Sequence, residues 1–196
     1  MTPIEIATQK ARFLAILTEK AGNRPGVNNL IAFLEQSDFF TAPASTKYHE
    51  NYEGGLCEHS LVVYDKLVLL NTILPEKARM SDETVAICAL LHDICKTGFY
   101  TAGTRNVKNE VTGQWEKVPV YNIADSFPVG HGEKSVIMLM RYIPLTDEEL
   151  YAIRWHMGAF DESVKGGSYA IGNAYEACPS AVNLSIADMQ ATYQKI

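Results

Sequence analysis

Residues 85–91 are Val85, Ala86, Ile87, Cys88, Ala89, Leu90 and Leu91, an unbroken apolar run that ends directly on His92 and Asp93. A helix that is apolar on every side belongs inside a core. The remaining chain therefore has to supply elements that surround it. It also has to account for an imidazole and a carboxylate at its end, because polar groups are costly to bury without partners. Neutral imidazole and carboxylate oxygen are both good ligands for divalent transition metals; the alternative is a surface pair on a fraying helix end. Lys96 follows four residues after His92, near the same face of a continuous helix. An ammonium there either neutralises a phosphate oxygen or simply complements a helix C-terminus.

The remaining histidines are His49, His59, His131 and His156. His59, His131 and His156 fall in separate apolar or helix-like segments, and Asp188 lies in another. The periodicity predicts helices over 4–20, 27–36, 56–71 and 84–96, then a helix containing 135–140, another over 148–157 and a last one over 179–193. Ser81 is a candidate N-cap for the central helix, and Thr146 with Glu149 has the spacing of a capping box. Residues 104–108 and 115–121 bracket a turn-rich centre at 111–114 and predict a β-hairpin, with Pro119 confining its strand to an edge. Residues 158–175, rich in Gly and Ser, read as a flexible loop able to gate access. His49 stands in an irregular stretch before Gly54-Gly55 and reads as a solvated loop histidine. The glycine pair permits close backbone approach just before His59.

Five local strings occur in a telling order. They are Gly54-Gly55-Leu56-Cys57-Glu58-His59-Ser60, Leu90-Leu91-His92-Asp93-Ile94-Cys95-Lys96, Gly130-His131-Gly132-Glu133, Ile153-Arg154-Trp155-His156 and Ile186-Ala187-Asp188. In this order they resemble the HD-domain superfamily of metal-dependent phosphohydrolases, over roughly residues 52–193. The resemblance implies an all-α helical bundle with a small β-hairpin insertion. Residues 1–196 are then one domain, with 1–50 a helical extension packed on it and 99–127 the insertion.

The resemblance also implies a ligand set. His59, His92, Asp93 and Asp188 hold a first metal, and Asp93, His131 and His156 a second. Six candidates exceed what one open catalytic ion takes, which argues for two ions sharing Asp93. Such a mixture of histidine and carboxylate suits Fe, Mn, Co, Ni or Zn better than Mg or Ca. The implied reaction is hydrolysis of a phosphate ester or anhydride by a metal-bridging hydroxide, with Asp93 and Lys96 as the catalytic side chains. Lys96, Arg105 and Lys108 are the expected substrate-binding cations, the last two on a hairpin that overhangs the site. The expected partner is a small phosphorylated substrate, nucleotide-like. Two other uses of such a site stay open: a sensor that binds a metal and a nucleotide, and a di-iron oxygenase of the same fold.

The net charge of −6 and pI near 5.4 argue against a grip on long nucleic acid. No apolar run approaches a membrane span, and no secretory pattern opens the chain. The four cysteines include no close CxxC pair. These features lead us to expect a cytoplasmic protein without a membrane partner. Its oligomeric state is not legible.

Overall fold

The apolar run is buried as its composition requires, and the fold is arranged around it. In the computed structural model, which describes residues 1–194, helix α4 (Asp82–Leu91) is buried from Thr84 to its last residue. It starts where Ser81 Oγ accepts from the Thr84 N–H at 3.1 Å. Its surroundings are α1 (Pro3–Ala21), α3 (Gly55–Ile73) and α6 (Asp147–Trp155), each packed against it. The last long helix, α9 (Ala181–Tyr193), packs on both α3 and α6. Helix α5 (His131–Met140) lies against α6 and against the turn that follows α4. One continuous apolar cluster runs from Phe13 and Leu17, through Leu30 and Leu34 of α2 (Val27–Gln36), to Ile87, Leu90, Ile153 and Leu184.

The chain thus forms the all-α architecture expected, interrupted by one two-stranded antiparallel hairpin of β1 (Tyr100–Lys108) and β2 (Trp115–Ile123). The strands pair from Tyr100 with Ile123 at the root to Lys108 with Trp115 near the tip. The root is tied down, with the Tyr100 hydroxyl donating to the Ala44 carbonyl at 3.2 Å. Among the described residues, no helix is long and apolar enough to cross a membrane.

Two local expectations are corrected. The central helix does not continue to Lys96. It ends at Leu91 with His92 as its C-cap, Asp93 adopts φ −103° and ψ 17°, and a tight 3-10 turn covers Ile94–Lys96. After the break the Lys96 ammonium stands against Asp93 (Nζ to Oδ2, 2.7 Å). The stretch 158–175 is also not an open loop. It contains a 3-10 turn at Gly158–Phe160 and two helices, α7 (Glu162–Lys165) and α8 (Ala170–Ala177). Buried Asp161 organises it by capping α7 through the Ser163 N–H at 2.9 Å and accepting from Arg154 at 2.8 Å. That second bond comes from another helix, so local sequence did not disclose it.

Arg24 falls in a stretch that reads only as a helix breaker, yet it joins three segments. Its guanidinium makes a two-pronged pair with fully buried Glu149, both contacts at 2.9 Å. It also donates to Glu83 Oε1 and to the Pro144 carbonyl, each at 2.8 Å. Removing one partner of a buried ion pair strands the other charge, typically at a cost of about 3–5 kcal/mol. Arg24→Ala should therefore lower unfolding stability by about that amount, read from urea denaturation midpoints. A loss well under 1 kcal/mol would show that Glu149 is satisfied without it.

Candidate metal centre

Each candidate side chain is delivered by the packing around α4. His59 lies in the second turn of α3, His92 caps the end of α4, and Asp93 follows it. His131 is the first residue of α5, His156 caps α6, and Asp188 lies midway along α9. The helix contacts described above therefore bring all six residues together.

Asp93 is at the centre, and its two oxygens face different neighbours. Oδ2 stands 3.4 Å from His92 Nε2, 3.8 Å from His59 Nε2 and 2.7 Å from Lys96 Nζ. Oδ1 stands 2.8 Å from His131 Nε2 and 3.7 Å from His156 Nε2. Asp188 Oδ1 extends the first set, 3.0 Å from His59 Nε2. Ring centroids run in series at 5.4 Å from His59 to His92, 4.9 Å to His156 and 5.0 Å to His131.

The donor set fits a metal. The Nε2 atoms of His59, His92 and His156 are buried and have no hydrogen-bond partner among the described residues. Buried polar atoms are nearly always satisfied, so three orphans converging on one carboxylate fit coordination of metal around Asp93. His59 Nε2 is near Asp188 without hydrogen-bond geometry, as expected of ligands aimed at a shared ion. Nδ1 of His92 is 2.9 Å from the Ala89 carbonyl, and Nδ1 of His156 is 2.6 Å from that of Ile153. Those acceptors place the ring proton on Nδ1 and leave the Nε2 lone pair free for a cation. Ligand-type atoms of His59, His92 and Asp188 lie within 4.8 Å of one another, as do those of His92, Asp93 and His156.

The electrostatics agree with this reading. Burial alone would raise the Asp93 carboxyl, but Lys96, His92, His131 and His156 outweigh it and hold it well below the usual carboxylate range. Asp188 is likewise lowered against its burial, chiefly by His59. Burial lowers His131, with Asp93 partly offsetting it. At neutral pH the acids are ionised and His131 is neutral, the forms that ligate.

One histidine that sequence reasoning leaves in solvent belongs to the site. The His49 ring stands 4.7 Å from that of His59, and both its nitrogens are buried without a hydrogen-bond partner among the described residues. Burial, then the charges of His59 and Lys96, push it down to about 4. The glycine pair explains its position. A Cβ on Gly55 would stand 2.0 Å from the Glu50 carbonyl oxygen, so only glycine lets this loop fold onto the start of α3. The close approach permitted there is by the chain's own backbone. Glu50 itself takes φ 41°, a strained value for a residue with a side chain.

A cleft of about 780 Å³ opens on Asp93, Lys96, His131, His156 and Asp188. Tyr48, Phe99, Tyr100 and Phe160 line its walls, and Lys165 is a second cation there. Arg105 and Lys108 do not line it. Both are exposed on β1, five and eight residues beyond Tyr100, and five residues of strand span about 17 Å. The hairpin contributes its root to the cleft and carries its cations away from it.

Gly132 sets the spacing between α5 and α6, since a Cβ there would stand 2.1 Å from the Arg154 carbonyl oxygen. Gly132→Ala should push His131 away from His156. It is expected to weaken cation binding at Asp93, His131 and His156 while sparing His59, His92 and Asp188, as read by metal titration of the chelator-stripped protein.

A family model described as HD domain matches residues 56–189, which includes His59, His92, Asp93, His131, His156 and Asp188. No curated protein and no solved structure matches the chain. With the match spanning most of the sequence and the clustered His and Asp side chains compatible with a metal-binding site, the chain belongs to the HD-domain family, the superfamily of metal-dependent phosphohydrolases.

Proposed function

We propose that this protein hydrolyses a phosphate ester or anhydride of a nucleotide or small nucleotide derivative, using two divalent cations that share Asp93. The observation that carries the two-cation reading is the division of Asp93, with Oδ2 facing His59 and His92 and Oδ1 facing His131 and His156. His59, His92, Asp93 and Asp188 would hold one cation; Asp93, His131 and His156 would hold the other. The donor set favours Fe, Mn, Co, Ni or Zn. When bound, such ions polarise a phosphoryl oxygen and lower the pKa of water.

The chain's own groups do the rest. Lys96 is an ammonium with Nζ 2.7 Å from Asp93 Oδ2, at the floor of the cleft. Burial alone would lower it, but Asp93 and Tyr100 outweigh burial and raise it, so it stays charged. From there it offsets negative charge that builds on phosphoryl oxygens in the transition state. The nucleotide-sized substrate is supported by the 780 Å³ cleft and its aromatic walls of Tyr48, Phe99, Tyr100 and Phe160, faces on which a base can stack. The acidic balance of the chain disfavours a long nucleic-acid partner.

Metal analysis joined to a phosphate-release screen over nucleotides, dinucleotides and short oligonucleotides tests the reading. Asp93→Ala should lose both ions and all turnover. His156→Ala should keep one ion; two ions and full turnover in that variant would sink the shared-carboxylate assignment. Lys96→Ala should lower kcat on the order of 10²-fold, the size expected for one lost transition-state contact. Lys108→Ala should leave kcat and KM unchanged, and a raised KM would place the hairpin tip in the site after all.

A further inference from the structure

A metal-ligating imidazole is oriented by whatever its second ring nitrogen bonds, and here the four central histidines differ in that partner. His92 and His156 use main-chain carbonyls three residues back, at 2.9 and 2.6 Å. Those acceptors are strong and cannot move without unwinding a helix end. His59 Nδ1 faces a carboxylate, with Glu50 Oε2 3.7 Å away. His131 starts its helix, so no preceding helical turn supplies a carbonyl. Its Nδ1 lies instead 3.3 Å from the Sγ of Cys95.

Cys95 sits two residues past Asp93 and is tied to α5 twice. Besides the thiol contact, its N–H donates to the buried Ser135 Oγ at 3.4 Å. It therefore spans the seam between the turn that presents Asp93 and the helix that presents His131. Thiol sulfur is a weak hydrogen-bond acceptor. The His131 side chain is also 28% exposed, where His59, His92 and His156 are at 1% or less. By exposure His131 is the least enclosed ring of the set, and a thiol is all that meets its second nitrogen.

We propose that Cys95 is a positioning residue for His131, and that its weak hydrogen bond makes the Asp93–His131–His156 position the lower-affinity of the two cation positions. The inference rests on the two-cation reading above. With a cation at Nε2, the neutral ring would carry its proton on Nδ1 and donate it to Cys95 Sγ; with none bound, Nε2–H donates to Asp93 Oδ1 at 2.8 Å and Nδ1 accepts from the Cys95 thiol. Alanine at 95 leaves that N–H without an acceptor and the ring free to turn. Serine restores an acceptor, and a better one.

The test is manganese titration of the chelator-stripped full chain, followed calorimetrically, for wild type, Cys95→Ala, Cys95→Ser and His131→Ala. Wild type should bind two ions per chain in separable steps, and His131→Ala should abolish the weaker one. Cys95→Ala should weaken that step 10–100-fold, as loss of an outer partner does, and leave the tighter step unchanged. Cys95→Ser should bring it back to the wild-type value or beyond. Equal second-step affinity in wild type and Cys95→Ala would overturn the proposal. So would equal weakening of both steps with a lower unfolding midpoint, which marks a merely structural role. A thiolate-to-cobalt charge-transfer band in the cobalt-loaded wild type, absent from Cys95→Ser, would also overturn it by making the sulfur a ligand. A wild type that saturates with one ion would overturn the two-cation reading, and this proposal with it.

Discussion

The buried carboxylate of Asp93 is the constraint on which the site depends. An ionised carboxylate taken out of water costs several kcal/mol unless its surroundings restore what water supplied. Here the restoration comes from the Lys96 ammonium at 2.7 Å on Oδ2 and from His131 Nε2 at 2.8 Å on Oδ1. The ammonium comes from the tight turn at Ile94–Lys96, which follows the end of α4 at Leu91.

The four central histidines and Asp188 stand on helices or at their ends, and those helices are held by an apolar cluster that runs from Phe13 of α1 to Ala191 of α9. Two glycines set the close distances. Gly132 lets α5 reach the backbone of α6, and Gly55 lets the loop carrying His49 reach the start of α3. Preorganisation of this kind is what a site needs to stabilise developing charge without reorganising during the reaction.

The cleft separates two tasks. Its floor is the carboxylate and imidazole cluster with Lys96, and its walls are aromatic, contributed by the loop before α3, the hairpin root and the turn after α6. The exposed tip of the hairpin, which carries Arg105 and Lys108, lies outside this division. Positive charge in the cleft is therefore local to Lys96 at the floor and to Lys165 at the wall, in a protein whose net charge is −6.

Much of this was legible in the amino-acid order. The run at 85–91 could only be a core helix, the hairpin was marked by its turn residues, and five motifs in one order named the family and six side chains that the fold brings together. Those features are local, carried by periodicity and by short strings, so a linear reading reaches them. Contacts between segments distant in sequence were not legible. Arg24 looks like part of a breaker until Glu149, 125 residues away, is placed against it. Asp161 organises an apparent loop only because Arg154 reaches it from α6. His49 reads as a solvated loop residue until the Gly55 approach lays it over His59. Arg105 and Lys108 had the right charge, but strand rise carries them away from the cleft. Sequence alone determined which side chains could ligate, because that is fixed by their chemistry. Tertiary structure decided how Asp93 divides between its neighbours and which ring nitrogen is held by which partner, because those depend on helix-to-helix distances that no local pattern encodes.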